Sequence, residues 1–261
     1  MSEIEELKEV LKKVKEREPV VVQITNFVSA SFQADCTLAV GAHAIMPVSS
    51  LEIGDILSRA DALLLNIGTL DEIREKSILK GFKMAKERGI PVVLDPVGCG
   101  VSPFRRELTL KLLVEGGVSL VKGNYGEIIS LYGRSGLMKG VDSDLKLNGV
   151  SFEDVVKELS SIYSCVFVAT GKVNYISDGK SSLSLPGGER VMRYVSGLGC
   201  SLGSVMASFL TVLSPLDASL YALKLFSEVS RRAWVKSRGP GSFKVSFIDE
   251  LYLLGRGEDE D

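Results

Sequence analysis

Short apolar runs alternating with longer helical patterns are what most constrains this 261-residue chain. Val20–Ile24, Ala62–Ile67, Val92–Leu94, Val118–Val121 and Cys165–Ala169 are runs of this kind. Runs without polar alternation are buried on both faces, and when helix-length segments separate them they build a mainly parallel sheet covered on each side by helices. The expected fold class is therefore α/β, a three-layer sandwich. The length suits one large domain spanning 1–261.

Local signals punctuate this pattern. Ile4, Leu7, Val10, Leu11 and Val14 recur at helical spacing until Pro19 ends the run, which predicts an opening amphipathic helix. A helix over Asp71–Arg88 follows a Thr69-x-x-Glu72 capping-box pattern and stops at Gly89. Val173–Leu185 alternates differently, with Asn174, Ser177, Asp178 and Gly179 as turn residues, and predicts an antiparallel hairpin at the sheet edge. Helical patterns over Ser201–Leu213 and Asp217–Lys236 follow, and the tail Gly255–Asp261 is expected to fray.

Charge narrows the function. Lys and Arg number 31 against 33 Asp and Glu, so no basic field is present to hold a polyanion, and nucleic acid is not an expected partner. No apolar run reaches the length of a membrane span, and Met1–Glu18 is charged rather than signal-like, so no membrane association and a cytoplasmic location are expected. Cys36, Cys99, Cys165 and Cys200 form no C-x-x-C pair, which fits a reducing compartment, and the lone histidine, His43, reads as a loop residue.

Polar residues gather directly after the apolar runs: Thr25 and Asn26, Asn66, Asp95, Asn124 with Glu127, and Thr170 with Gly171. In an open parallel sheet these positions line one crevice at the carboxyl ends of the strands. Any one of them also serves as a helix cap, but recurrence over five strands favours a shared site. Asp95 and Glu127 supply hard oxygen ligands on separate strand ends, a pattern suited to magnesium, and Lys122 adds a point charge for phosphates. The string Ser196-Gly197-Leu198-Gly199-Cys200-Ser201-Leu202-Gly203 leads into a helix and can gather backbone N–H groups into an anion hole. Close packing of a helix on a sheet selects the same small residues. Cys200, at the start of that helix, reads either as a site thiol or as a small buried hydrophobe.

Taken in order, Ile24-Thr25-Asn26, Gly41-Ala42 through Met46, Asn66-Ile67-Gly68-Thr69-Leu70, Asp95-Pro96-Val97-Gly98, Gly123-Asn124 to Glu127, Gly140-Val141-Asp142-Ser143, Thr170-Gly171 and Gly197-x-Gly199-Cys200 resemble the hydroxyethylthiazole kinases. The resemblance runs from about Val20 to Lys236. It implies a ribokinase-like fold that moves the γ-phosphoryl group of ATP to the primary alcohol of 4-methyl-5-(2-hydroxyethyl)thiazole in thiamine salvage. By it Asp95 and Glu127 organise Mg2+, Lys122 and Thr170 contact the ATP phosphates with Asn124 and Gly199 on the same side, and Asn26, Met46 and Gly197 line the thiazole pocket. Cys200 then stands beside the reacting hydroxyl. The resemblance further implies a homotrimer with sites between subunits, so that Asn26 and Met46 serve a neighbour's site.

Four departures from the family's pattern stand out. Gly41-Ala42-His43-Ala44 replaces a Gly-Ala-Ser-Pro turn, Leu198 replaces a threonine, Asp35 an asparagine, and Lys122 an arginine, exchanging a planar fork for a point charge. Two other readings share the scaffold. A nucleotide-dependent dehydratase of hydrated NAD(P)H carries Gly-x-Gly-Asp where this chain has Cys200. A non-catalytic metabolite-binding regulator has no need of Asp95, Glu127 and Cys200 together.

Overall fold

The computed structural model describes residues 2–133 and 150–256. In chain order its helices and strands are α1 (Glu3–Arg17), β1 (Val20–Ile24), α2 (Ala30–Ala39), β2 (His43–Ile45), α3 (Ile53–Leu57), β3 (Ala62–Asn66), α4 (Glu72–Arg88), β4 (Val92–Asp95), α5 (Pro103–Glu115), β5 (Leu120–Asn124), α6 (Tyr125–Tyr132), α7 (Phe152–Tyr163), β6 (Val166–Thr170), β7 (Val173–Ser177), β8 (Ser182–Pro186), α8 (Leu198–Phe209), α9 (Pro215–Val235) and α10 (Pro240–Gly255). The strands form one sheet in the order β2-β1-β3-β4-β5-β6-β7-β8. Neighbours from β2 to β6 run parallel, while β7 and β8 add antiparallel, as the hairpin pattern anticipates.

Strand side chains alternate between two apolar layers, which is why nearly every residue of the central strands is apolar. Val21, Leu64, Val93, Leu120 and Val168 face one layer, closed by α1, α2, α8, α9 and α10. Val22, Leu63, Leu65, Leu94 and Phe167 face the other, packed with residues of α3 to α7. Each fully buried Leu, Val or Phe contributes on the order of 1.5–3 kcal/mol, so the sheet is the most strongly held part of the molecule. Parallel register sets Asn66 beside Asp95 and Asn124 beside Thr170, so β3 and β4 finish level with one another and β5 and β6 do the same two residues further on.

The boundaries correct several expectations. Helix α4 is capped by Asp71, whose side chain accepts from Arg74 N, and not by Thr69. Thr69 takes a left-handed φ of 45°, costly for a β-branched residue, and its buried hydroxyl has no hydrogen-bond partner. Helix α8 starts at Leu198, before the expected Ser201, and ends at Phe209, before the expected Leu213, with Gly199 and Cys200 in its first turn. His43 opens the edge strand β2 and is exposed, not a loop residue. Ile4, expected in the apolar stripe of α1, is 38 % exposed. Helix α10 has no counterpart among the sequence signals, because apolar residues surround it: Phe243, Phe247 and Leu251 are buried while Val245, Tyr252 and Leu253 are exposed. The Gly140–Ser143 motif and residues 257–261 lie outside the described residues. Among those described, no helix is long and apolar enough to cross a membrane.

Candidate active site

Asp95, the last residue of β4, is fully buried and lies between two donors. Its Oδ2 accepts from Asn66 Nδ2 at 2.7 Å. Its Oδ1 lies 3.0 Å from Lys122 Nζ, an ionic contact without an aligned hydrogen bond. Lys122, also buried, donates instead to the carbonyl of Gly199 at 2.8 Å, tying β5 to the first turn of α8. Burial pushes the Asp95 carboxyl up to about 6, with the Lys122 ammonium pulling it down and Glu127 adding to the rise. Burial alone lowers the Lys122 ammonium, but the charge of Asp95 outweighs it, so Lys122 stays above its ordinary value and charged.

Glu127 is held by its own helix end. Asn124 caps α6 by accepting from Glu127 N at 3.1 Å, and Glu127 Oε2 reaches back to Asn124 N at 2.8 Å. Oε1 accepts from Gly98 N at 2.9 Å, binding α6 to the turn after β4. Gly98 has a φ of 75°, and a Cβ there would lie 2.5 Å from Arg105 Nη1, so only glycine fits this turn. Thr170 Oγ1 donates to the Gly123 carbonyl at 3.2 Å, on the strand end that pairs with exposed Asn124.

Among the described residues, no three His, Cys, Asp or Glu side chains gather into a ready-made cation cage. Asp95 Oδ1, buried and accepting no hydrogen bond, together with Glu127, whose two oxygens each accept one N–H, matches what magnesium asks for: one or two carboxylates, with water and phosphate completing the shell. The donor set fits a magnesium shared with nucleotide phosphates and does not fit a metal caged by protein alone. Asp95 is not in a wet crevice, however, as a reading from the sequence supposes; it belongs to the buried floor.

Above this floor stands the amino end of α8. Gly197, its N-cap, has a φ of 94° and a Cβ position 3.0 Å from Ser29 Cβ, so both backbone and space require glycine. Gly199 faces open space, whereas a Cβ at Gly203 would sit 3.3 Å from Leu64 Cδ1. The glycine string therefore serves two ends: Gly203 for packing on the sheet, Gly197 and Gly199 for an open helix terminus. N–H groups of the first turn lack intrahelical carbonyl partners, so those of Leu198, Gly199 and Cys200 can receive an anion. Leu198 is buried in the core and contributes backbone only.

Cys200 is the one half-buried cysteine; Cys36, Cys99 and Cys165 are buried. Its Sγ receives Asn26 Nδ2 at 3.6 Å. Burial, reinforced by the Asp95 charge and opposed by Lys122, holds the thiol above its ordinary range and protonated at neutral pH. Asn26 also donates to Asn66 Oδ1 at 2.9 Å, while its Oδ1 accepts from Ser29 N and Ser29 Oγ, each at 3.0 Å. Gly68 N, at 3.0 Å, occupies the same Asn66 oxygen. Thus Asn26, Asn66, Asp95, Lys122, Gly197, Gly199 and Cys200 come together in one chain, with Glu127, Asn124 and Thr170 on the adjoining strand ends. Met46 does not join them: it is half-buried after β2, the edge strand, three strands from β4.

Sequence reasoning missed the support behind Asn26. Gln33 Nε2 donates to Ser29 Oγ at 2.6 Å, and Ser204 Oγ bridges Gln23 Oε1 at 2.8 Å and Gln33 Oε1 at 3.2 Å, all buried between α2, β1 and α8. A polar residue in an apolar helix stripe was the available signal. Arg74 was missed as well; its guanidinium donates to the carbonyls of Thr25 and Thr69 and lies over the exposed Phe27 ring, holding the loops after β1 and β3 together.

Residues 11–256 match the family model described as the hydroxyethylthiazole kinase family. A hydroxyethylthiazole kinase of Archaeoglobus fulgidus is 40% identical over 248 residues, covering 95% of this chain and 91% of that protein. One from Thermoanaerobacter pseudethanolicus is 39% identical over 250 residues, covering 95% and 94%. The solved structure of the Pyrococcus horikoshii hydroxyethylthiazole kinase superposes with a TM-score of 0.88 at 34% identity, covering 97% of this chain and 94% of the other. An ADP complex of Bacillus subtilis pyridoxal kinase, at 15% identity and a TM-score of 0.62, and a ribokinase-like superfamily protein of Enterococcus faecalis, at 14% identity and a TM-score of 0.64, share the fold alone. A match over nearly the whole chain, with the strand-end residues in place, settles the family: the chain belongs to the hydroxyethylthiazole kinases.

Proposed function

We propose that this protein phosphorylates the hydroxyl of 4-methyl-5-(2-hydroxyethyl)thiazole with MgATP, a step of thiamine salvage in the cytoplasm. The observation that carries the reading is the convergence of Asp95 and Lys122 on the first turn of α8, which carries Cys200, in a chain of this family. Phosphoryl transfer passes through a loose transition state, so positioning and charge do most of the work. Magnesium, when bound, supplies neutralisation of charge on the phosphates, and Asp95 and Glu127 are the residues to hold it.

The chain's own groups divide the remaining tasks. N–H groups of Leu198 to Cys200 receive oxygens of the phosphoryl group in flight, fixed by the helix before reaction begins. Lys122 reaches the same helix turn and shares its charge between Asp95 and the phosphates, with Asn124, Thr170 and Gly199 along the nucleotide. Asn26 and Gly197 border the alcohol, and Cys200 Sγ lies where the hydroxyl proton leaves or is aligned.

Met46 fits this reading as a contribution to a neighbouring copy in a homotrimer. Supporting it, Phe27, Val28, Ile45, Val48 and Leu51 are exposed by 69, 59, 36, 55 and 87 %, Ile45 in β2 and the others in the segments following β1 and β2 at one edge of the sheet. Apolar exposure of this kind marks an interface. The deciding measurement is ADP release, with magnesium, over a panel of small alcohols including the thiazole, with hydrated NADH as a rival substrate. Turnover of the thiazole alcohol above all others is expected; consumption of hydrated NADH, or none at all, would overturn the reading.

A further inference from the structure

We propose that Asn66 is a positioning residue for this reaction: it fixes the Asp95 carboxylate and the Asn26 amide in one frame, and together with Asn26 sets the surroundings of the Cys200 sulfur. The argument lies in which way each amide must point. Gly68 N donates to Asn66 Oδ1, so the oxygen end of Asn66 is identified by a backbone donor, and its Nδ2 is left to face Asp95 Oδ2 at 2.7 Å. In the same way Ser29 N fixes the oxygen end of Asn26, so Asn26 Nδ2 must point forward, to Asn66 Oδ1 at 2.9 Å and Cys200 Sγ at 3.6 Å. Neither amide can flip without setting an NH2 against a backbone N–H. The amide NH2 of Asn66 therefore faces the Asp95 carboxylate, and that of Asn26 reaches the Cys200 sulfur as well as Asn66.

Asn66 is the only member that touches both halves. It is fully buried at the end of β3, between β1, which Asn26 follows, and β4, which ends at Asp95. Space around it is closed: a Cβ at Gly68 would lie 3.0 Å from both Asn66 Oδ1 and Asn26 Cβ. Removing the Asn66 amide leaves Asp95 Oδ2 without its donor and frees Asn26 Nδ2 from its acceptor. Small displacements of this kind cost activity through geometry rather than through contact with substrate.

The test has two arms. In the kinetic arm, which rests on the phosphotransfer reading, Asn66→Ala should lower kcat by about tenfold or more while the KM for ATP stays within about twofold, a split that simple destabilisation does not produce. The second arm needs no turnover. Cys200 is the single cysteine not buried, so iodoacetamide reads its surroundings selectively. Asn66→Ala and Asn26→Ala should each change the alkylation rate by about threefold or more, and the double variant should change it by clearly less than the product of the two, since both amides belong to one hydrogen-bonded network around the sulfur. Rates that multiply in the double variant, or an unchanged kcat alongside a lowered Tm, would overturn the proposal. If Asn66→Ala does not fold, Asn66→Ser carries the same comparison, as its hydroxyl still accepts from Gly68 N. Coupled alkylation in an enzyme inactive on the thiazole alcohol would uphold the frame and reject the proposed substrate.

Discussion

Asp95 shows why a residue's role and its burial have to be judged together. Both faces of its carboxylate meet donors, Asn66 Nδ2 and Lys122 Nζ, so an amide in its place must turn an NH2 toward one of them. Asp95→Asn is therefore expected to destabilise the fold by about 1–3 kcal/mol as well as abolish magnesium-dependent turnover. Lys122→Met added to it should restore part of the loss in urea melts. Because burial pushes the Asp95 carboxyl up to about 6, acidification below that range protonates it, and turnover should fall on the acid side. Cys200→Ala should lower kcat by about 10²-fold while residual turnover survives on the N–H groups of α8. Its thiol is held protonated at neutral pH, so wild-type kcat should climb into the alkaline range and the Ala variant should lose that rise; identical pH profiles would make the sulfur a filler. At this scale the sequence was legible where chemistry ends a strand, as at Asp95, Asn124 and Thr170. It marked Gln33 and Ser204 only as polar residues within apolar helix stripes, because a helix interior offers no rule for what such residues bind, and it was silent on which of Glu127's oxygens would be taken by Gly98 and Asn124.

Helix ends decide how the elements meet the site. Gly197 combines a φ of 94° with a Cβ position pressed against Ser29, so Gly197→Ala should cost about 1–3 kcal/mol and shift the first turn of α8, raising the KM for ATP. An unchanged KM would mean that the N–H groups of this turn do not meet phosphate. Glycine spacing alone did not reveal that Gly203 packs against Leu64 while Gly199 faces open space, since both are glycines to the eye and differ only in what lies opposite. The α4 cap shows the same limit: Thr69 and Asp71 both satisfy the preference for a short polar cap, and the chain resolves the choice by placing Asp71 at the helix start and Thr69 in a left-handed bend held by Arg74. Strands β1, β3, β4 and β6 were legible from apolar runs, whereas β2, with exposed His43 and Ile45, had no such run to announce it.

Across the whole molecule, parallel order follows from composition, but adjacency does not. That β2 lies outside β1, and so carries Met46 to the rim, becomes evident only when the sheet is assembled. If that rim joins three copies, Val48→Glu with Leu51→Glu should yield monomers in sedimentation and remove activity that depends on Met46, while Asp95 and Lys122 keep their pairing. A variant that remains trimeric would place the interface elsewhere. The sheet order has one more outcome. Asp95, Lys122 and Thr170 arise from interior strands, clamped between two apolar layers, while Asn26 and Met46 follow the last two strands at one margin. Amide protons of β4 and β5 should thus exchange with deuterium only through global unfolding, and those of β2 through local fraying. The nucleotide half of the site is built on rock and the alcohol half on a shoreline, so the range of acceptors can drift over generations of sequence change while the phosphate chemistry stays where it is.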